Sequence, residues 1–346
     1  MMSLKTKSVV NHERHERHER GENKGPQSGW PASPDFTRLS ATPKSTGRSP
    51  FVFFVSFVVS TACFLATCFR WFSCRRVALV GAWWLAAGAL AAAELPAFTP
   101  GKQTIQFTAS ALQSAADEVK SRLHSIEEPG PFDITREKFQ LIVPKTYAHA
   151  EPWGLFIWIS AGDAPTIPAD WEPVLAARKL LFVGAFKSGN PRSIFDRVRL
   201  AVDANIGMRR KFNVDGRRVY VSGFSGGARV ASMIGVGYGD MFSGTIPFMG
   251  VNFYTELPAG EGKKFNVSYL PDDEVLELAK KKCRYVLVTG ERDFNRLNTR
   301  SAHEHGFKKE GFANVLYLEV PALGHALPGA KTLEQGIEFL DVGKGR

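Results

Sequence analysis

A serine bracketed by glycines, GFSGG at 223–227, stands ahead of an aspartate in ERDFNR (291–296) and a histidine in ALGHALP (322–328). Together these residue types can carry out acyl transfer. A serine hydroxyl attacks a carbonyl efficiently only if a base takes its proton, and a histidine serves as that base only when a third group holds its ring in the productive tautomer. Ser225 is therefore read as nucleophile, His325 as base and Asp293 as the orienting acid. Glu291 in the same loop, and Asp272 or Asp273 further upstream, are alternatives for the acid. The reaction also needs N–H donors aimed at the oxygen that becomes negative. Gly226 N–H, directly after the serine, is the first candidate. Ala161 or Gly162 in SAGDAP (160–165) is the second.

These groups require particular elements beneath them. RVYVSG (218–223) reads as a strand and GGARVASMIG (226–235) as a helix. A chain that turns at once from strand to helix needs glycine at 223 and 227, because a Cβ there would meet the crossing backbone. The helix start then presents unpaired N–H groups to negative charge. Asp293 follows the apolar run YVLVTG (285–290), and His325 follows VLYLEVP (315–321). In open parallel sheets the chemistry gathers beyond the carboxyl ends of the strands, where all three residues fall.

Further strand candidates are FQLIVP (139–144), GLFIWIS (154–160), LLFVGAF (180–186) and GTIPFMGV (244–251), which makes seven in one domain. Helical patterns lie between them at 171–179, 193–212, 226–236, 272–282, 300–313 and 332–341. In the second of these, Ile194, Phe195, Val198, Ala201, Val202 and Ile206 recur at helical spacing. Such alternation predicts an α/β domain built on a mainly parallel open sheet covered by helices. Residues 96–137 carry weak signals, with a helix at 109–125. The long connection 251–271 could act as a lid, and Phe224, Phe253 and Tyr254 either line a pocket or pack in the core. Residues 94–346 contain no internal repeat and no second folded domain.

The net charge of +10 divides unevenly: residues 1–93 carry +7 and residues 94–346 only +3. Basicity is a property of the N-terminus, which argues against a nucleic-acid-binding face. Cys63, Cys68 and Cys74 also lie there, and Cys283 is alone in the rest, so no disulfide framework or CxxC metal pair fits the domain. His303 and His305 lack the i, i+4 spacing of a zinc helix. His124 and His149 precede the serine. No metal and no cofactor are expected.

Residues 1–50 form a basic, Ser/Pro/Gly-rich tail with a HERHERHER repeat, a composition that predicts disorder. Apolar segments follow at 51–69 and 77–93. The first is long enough to span a bilayer. The second has Arg75 and Arg76 in front and Ala91–Ala93 before Glu94, the anatomy of a cleaved export signal. Export of a 94–346 domain to the periplasm or exterior is the favoured reading, and membrane association through 51–93 is the alternative.

VYVSGFSGGARVA, LVTGERDFNR and LGHALP, preceded by GLFIWIS and LFVGAFKSGN, resemble the α/β-hydrolase superfamily. The likeness covers residues 138–341 and is nearest to secreted bacterial esterases of the polyhydroxybutyrate depolymerase and feruloyl esterase type. It implies an α/β-hydrolase fold with helices on both sheet faces. It also implies a Ser225–Asp293–His325 triad hydrolysing carboxylic esters through an acyl-enzyme. Many relatives place a His-Gly pair in the oxyanion loop where this chain has SAGDA, so the resemblance does not carry over the acyl-pocket geometry or the substrate. With no binding module after the last helix, small or soluble esters are the expected substrates. A serine peptidase or thioesterase on the same triad, a non-catalytic surface binding protein of this fold, and a membrane-anchored scaffold are the alternatives.

Overall fold

The computed structural model describes residues 99–124 and 129–344. The readings made for residues 1–93, the basic tail and the two apolar segments, lie outside them. Eight strands form one sheet: β1 (Gly101–Ile105), β2 (Phe139–Val143), β3 (Trp153–Ile159), β4 (Leu180–Ala185), β5 (Val214–Phe224), β6 (Gly244–Phe248), β9 (Arg284–Gly290) and β10 (Val315–Val320). Their spatial order is β1-β2-β4-β3-β5-β6-β9-β10. β2 pairs antiparallel with both β1 and β4, and every other pairing is parallel.

The parallel strands are apolar on both faces, as a sheet covered on both sides requires. Along β3, Leu155, Ile157 and Ile159 point into one core and Phe156 and Trp158 into the other. The first core is closed by helices α1 (Ala116–Leu123), α3 (Ile194–Lys211), α4 (Gly226–Gly237) and α5 (Asp273–Lys282). The second is closed by α2 (Trp171–Ala177) and α7 (Ala330–Asp341), through Trp171, Leu175, Leu333, Ile337 and Leu340. Burying each such side chain contributes about 1.5–3 kcal/mol, so the helices are held mainly by these faces. Local signals set their ends. Ser193 accepts a hydrogen bond from Asp196 N–H, and Asp272 accepts from Glu274 and Val275 N–H, which starts α3 and α5.

The structure departs from the sequence reading in three places. β1, an edge strand, was not anticipated, and its core-side contribution is small. The helix expected at 300–313 is instead α6 (Arg296–Ser301) running into a π-helical turn over Ala302–Phe307. Gly306 sits there because a Cβ would come 3.0 Å from the Phe253 ring. Residues 251–271 are largely packed down: Phe253, Tyr254 and Tyr269 are buried among Phe307, Phe312 and Tyr285. A small hairpin, β7 (Leu257–Gly260) with β8 (Lys263–Phe265), occupies the middle of this connection. Among the described residues, no helix is long and apolar enough to cross a membrane.

Candidate active site

β5 leads directly into α4, and Ser225 is the residue between them, at φ 55° and ψ −116°. A side chain in this region is strained by about 1–3 kcal/mol. Hydrogen bonds on both sides hold it: Ser225 N–H donates to Phe248 O at 2.9 Å, and Arg229 N–H donates to Ser225 O at 3.1 Å. The flanking glycines leave no room for anything larger. A Cβ on Gly223 would stand 2.5 Å from Gly227 C, and one on Gly227 would stand 2.0 Å from Ile159 O.

The chain brings Ser225, His325 and Asp293 into one hydrogen-bonded line. His325 Nε2 lies 2.9 Å from Ser225 Oγ, and His325 Nδ1 lies 2.7 Å from Asp293 Oδ1. A carboxylate can only accept, so Nδ1 carries the ring proton and Nε2 is left to accept from the serine hydroxyl. The Asp293 side chain is fully buried, while His325 is partly open to solvent. Asp293 is fixed by three more contacts: Thr289 Oγ1 donates to Oδ2, Asn295 N–H donates to Oδ1, and Asp293 N–H donates to Gly290 O.

The other acids considered stand elsewhere. Glu291 accepts from Ala322 N–H and ties two loops together. Asp272 caps α5, and Asp273 lies in its first turn.

β6 lies between the strands that carry the serine and the acid, and its end joins them. Phe248 O takes the Ser225 N–H, and Met249 N–H donates to Val288 O. Met249 O in turn accepts from Asn295 Nδ2. Arg229, on the first turns of α4, donates to Asn295 Oδ1 at 3.0 Å and to Asn252 Oδ1 at 3.2 Å. Burial lowers the pKa of this guanidinium from its ordinary value, an effect opposed by the nearby Asp293 charge.

The oxyanion candidates are placed less equally. A Cβ on Gly227 would lie 3.1 Å from Ser160 C, so the end of β3 and the loop after it rest against the start of α4. Gly162 N–H donates to Ser160 Oγ at 3.1 Å, which engages one of the two N–H groups considered for this loop. Ala161 O accepts from Asn190 N–H, and the Asn190 amide covers Gly226, where a Cβ would meet its Oδ1 at 2.0 Å.

Phe224 and Phe294 border the His325 ring, with centroids 4.9 and 4.0 Å away. Phe294 is 75% exposed, so an apolar ring lies open to solvent against the histidine. Phe253 and Tyr254 belong to the core instead. Among the described residues, no group of three or more His, Cys, Asp or Glu side chains is arranged to hold a metal ion. His124 Nδ1 contacts Leu270 O, and His303 stacks on Tyr317.

Sequence reasoning missed Asn190, Thr289, Phe294 and Asn295. Asn295 alone carried a local signal, since a residue two positions after an aspartate is where an Asx-turn N–H falls.

No family model and no curated protein matches the chain. Among solved structures it is similar to Est1E from Butyrivibrio proteoclasticus, at 15% identity and TM-score 0.42, over 60% of this chain and 93% of that one. It is similar to the thermophilic esterase Est2 of Thermogutta terrifontis at 18% identity and TM-score 0.44, over 66% and 96%. It is also similar to S-formylglutathione hydrolase from Staphylococcus aureus at 10% identity and TM-score 0.44, over 61% and 95%. The mainly parallel eight-stranded sheet, the helices on both faces and the strand–turn–helix at Ser225 together make this an α/β-hydrolase fold.

Proposed function

We propose that the protein is a serine hydrolase that cleaves carboxylic esters through an acyl-enzyme. The observation that carries this is the continuous line Ser225 Oγ, His325 Nε2, His325 Nδ1, Asp293 Oδ1, mounted on a strained turn at a helix start. In the first half-reaction Ser225 Oγ bonds to the ester carbonyl carbon while its proton passes to His325 Nε2. The tetrahedral oxyanion is held by Gly226 N–H and Ala161 N–H, the alkoxide leaves with the histidine proton, and an acyl-serine remains. Water then attacks the acyl carbon, with His325 again taking and returning a proton, and the acid departs. Asp293 keeps the ring in its tautomer and stabilises the imidazolium between the two transfers.

The reading extends to the substrate. The exposed Phe294 ring beside the histidine favours an ester with an apolar acyl or alcohol group, as in the esterases grouped with polyhydroxybutyrate depolymerases and feruloyl esterases. The test is labelling with a fluorophosphonate, wild type beside Ser225→Ala. Labelling that disappears in the variant supports an activated serine at 225, and a folded wild type that never labels refutes the mechanism. An ester, thioester and peptide panel then assigns the bond.

A further inference from the structure

Arg197, on α3, is 1% exposed. Its guanidinium finds one acceptor among the described residues: Nη2 donates to Ser160 O at 2.8 Å, while Nε and Nη1 have none. Burial pushes its pKa down to about 10, and it remains a cation at neutral pH. An unpaired, desolvated cation is costly to bury, and an apolar side chain of similar volume would fill the same space among Ile157, Ile159, Ala185 and Leu200 at lower cost. Fold stability alone therefore does not account for an arginine here.

Its acceptor does. Ser160 O belongs to the peptide whose other end is Ala161 N–H, the donor the loop offers to the oxyanion. In a planar trans peptide the C=O and N–H point in opposite directions. A guanidinium fixed on the oxygen from the α3 side therefore turns the N–H away from α3. The same peptide rests against the start of α4 through Ser160 C and Gly227. The other bonds on this loop anchor different atoms: Asn190 N–H holds Ala161 O, and Ser160 Oγ holds Ala164 O and Gly162 N–H. A charged donor on a carbonyl also draws electron density from the amide nitrogen, which makes its N–H a stronger donor.

We propose that Arg197 is a positioning residue for oxyanion stabilisation, orienting and polarising the Ser160–Ala161 peptide so that Ala161 N–H meets the developing charge. This rests on the esterase reading above. It needs no contact between Arg197 and substrate.

The experiment compares Arg197→Met and Arg197→Lys with wild type in the full chain. It uses steady-state hydrolysis of 4-nitrophenyl acetate, thermal melting, and the amide ¹⁵N shift of selectively labelled Ala161. Removing a direct oxyanion donor costs on the order of 10² to 10³ in rate, so loss of its support should lower kcat about ten- to a hundredfold, with KM little changed. The expected Met variant melts no lower than wild type, loses kcat and shifts the Ala161 ¹⁵N resonance. Lys, which keeps a charged donor without the planar fork, recovers part of the loss. A Met variant with wild-type kcat overturns the proposal, as does one in which kcat and melting temperature fall together and Lys does no better.

If the Met variant does not fold, the Lys variant decides by the ¹⁵N shift: movement supports the link, and an unmoved resonance overturns it. A wild type that neither hydrolyses the ester nor reacts with fluorophosphonate ends the esterase reading. The ¹⁵N shift would still report whether Arg197 polarises this peptide.

Discussion

Replacing Gly227 by alanine puts a backbone contact of the site to the test. The added Cβ would stand 2.0 Å from Ile159 O, 2.7 Å from Ile159 C and 3.1 Å from Ser160 C, all backbone atoms at the end of a buried strand. Opening the first contact to the 3.4 Å of an ordinary neighbour requires a shift of about 1.4 Å. No side-chain rotation supplies it, so either β3 and the Ser160–Ala161 peptide move or α4 does. Overpacking of this kind costs typically 1–3 kcal/mol, which in a domain of this size lowers the melting temperature by roughly 2–12 °C. Both ways of relieving the clash separate Ser225 from the loop after β3, and a misplacement near 1 Å costs on the order of 10² in rate. Gly226→Ala is the control. Its Cβ would meet Asn190 Oδ1 at 2.0 Å, but that atom is the tip of an exposed side chain and can swing away. Alanine in the helix also gains up to about 1 kcal/mol over glycine. Melting curves and 4-nitrophenyl ester kinetics on the two variants should therefore diverge, with Gly227→Ala crippled and Gly226→Ala close to wild type. A Gly227→Ala protein that melts and turns over like wild type would refute the reasoning from backbone contact.

Asp293→Asn keeps the shape of the acid but can present an N–H to His325 Nδ1, which favours the wrong tautomer; kcat should fall by on the order of 10⁴ with an unchanged fold by circular dichroism. Cys283 is buried, donates to Gly239 O and Phe242 O, and has its thiol pKa pushed up to about 11. Iodoacetamide at pH 8 should leave it unmodified until the protein is denatured, because the thiolate is the reactive form. The same shift has a stability consequence. The unfolded thiol ionises first as pH rises past its ordinary value of 9.0, so stability is lost between there and about 11. The loss is on the order of 2 kcal/mol, and in urea titrations across that range Cys283→Ala should lose less stability than wild type by about that amount, the tyrosines whose pKa burial also raises contributing equally to both. We propose that the Ala91–Ala93 motif is cut on export. N-terminal sequencing of the mature protein would then begin at Glu94, and a start at Met1 or Met2 ends that idea.

The parallel strands were legible because a sheet covered on both faces demands short unbroken apolar runs, and Leu155 to Ile159 or Tyr285 to Val288 can be little else. β1 was not, because GKQTI sits at the edge, alternates in exposure and buries little. The π-helical turn and the burial of Phe253 and Tyr254 depend on each other across some 50 residues, and no local pattern encodes that contact. The same division holds at the site. Ser225, Asp293 and His325 each sit in the residues that follow a strand, so spacing exposed them. Sequence already favoured Asp293 over Glu291, and the orientation of the turn separates the two, whereas finding Asn190, Arg197 and Arg229 needed the packing of one element on another. Gly162 shows the same limit from the other side, since its N–H is consumed by a serine only two residues away.

The site sits where the sheet can hold it rigidly. Ser225 keeps a backbone conformation it would leave if free, and the atoms that prevent this belong to three neighbouring strands: Gly223 on β5, Ile159 on β3 and Phe248 on β6. Relaxing the serine would break its bond to Phe248 O, whose neighbour Met249 is itself at φ 62° and held between Val288 and Asn295. Asn295 also donates to the acid, and Arg229 ties Asn295 back to the helix that begins at the serine. Strain at Ser225, orientation of Asp293 and placement of Gly226 N–H are thus set by one closed circuit of backbone and amide contacts. Its members gain little individually, since a net hydrogen bond contributes about 0.5–1.5 kcal/mol. Breaking any one, however, frees the strained serine and shifts the acid together, so the effects of mutating them should not add.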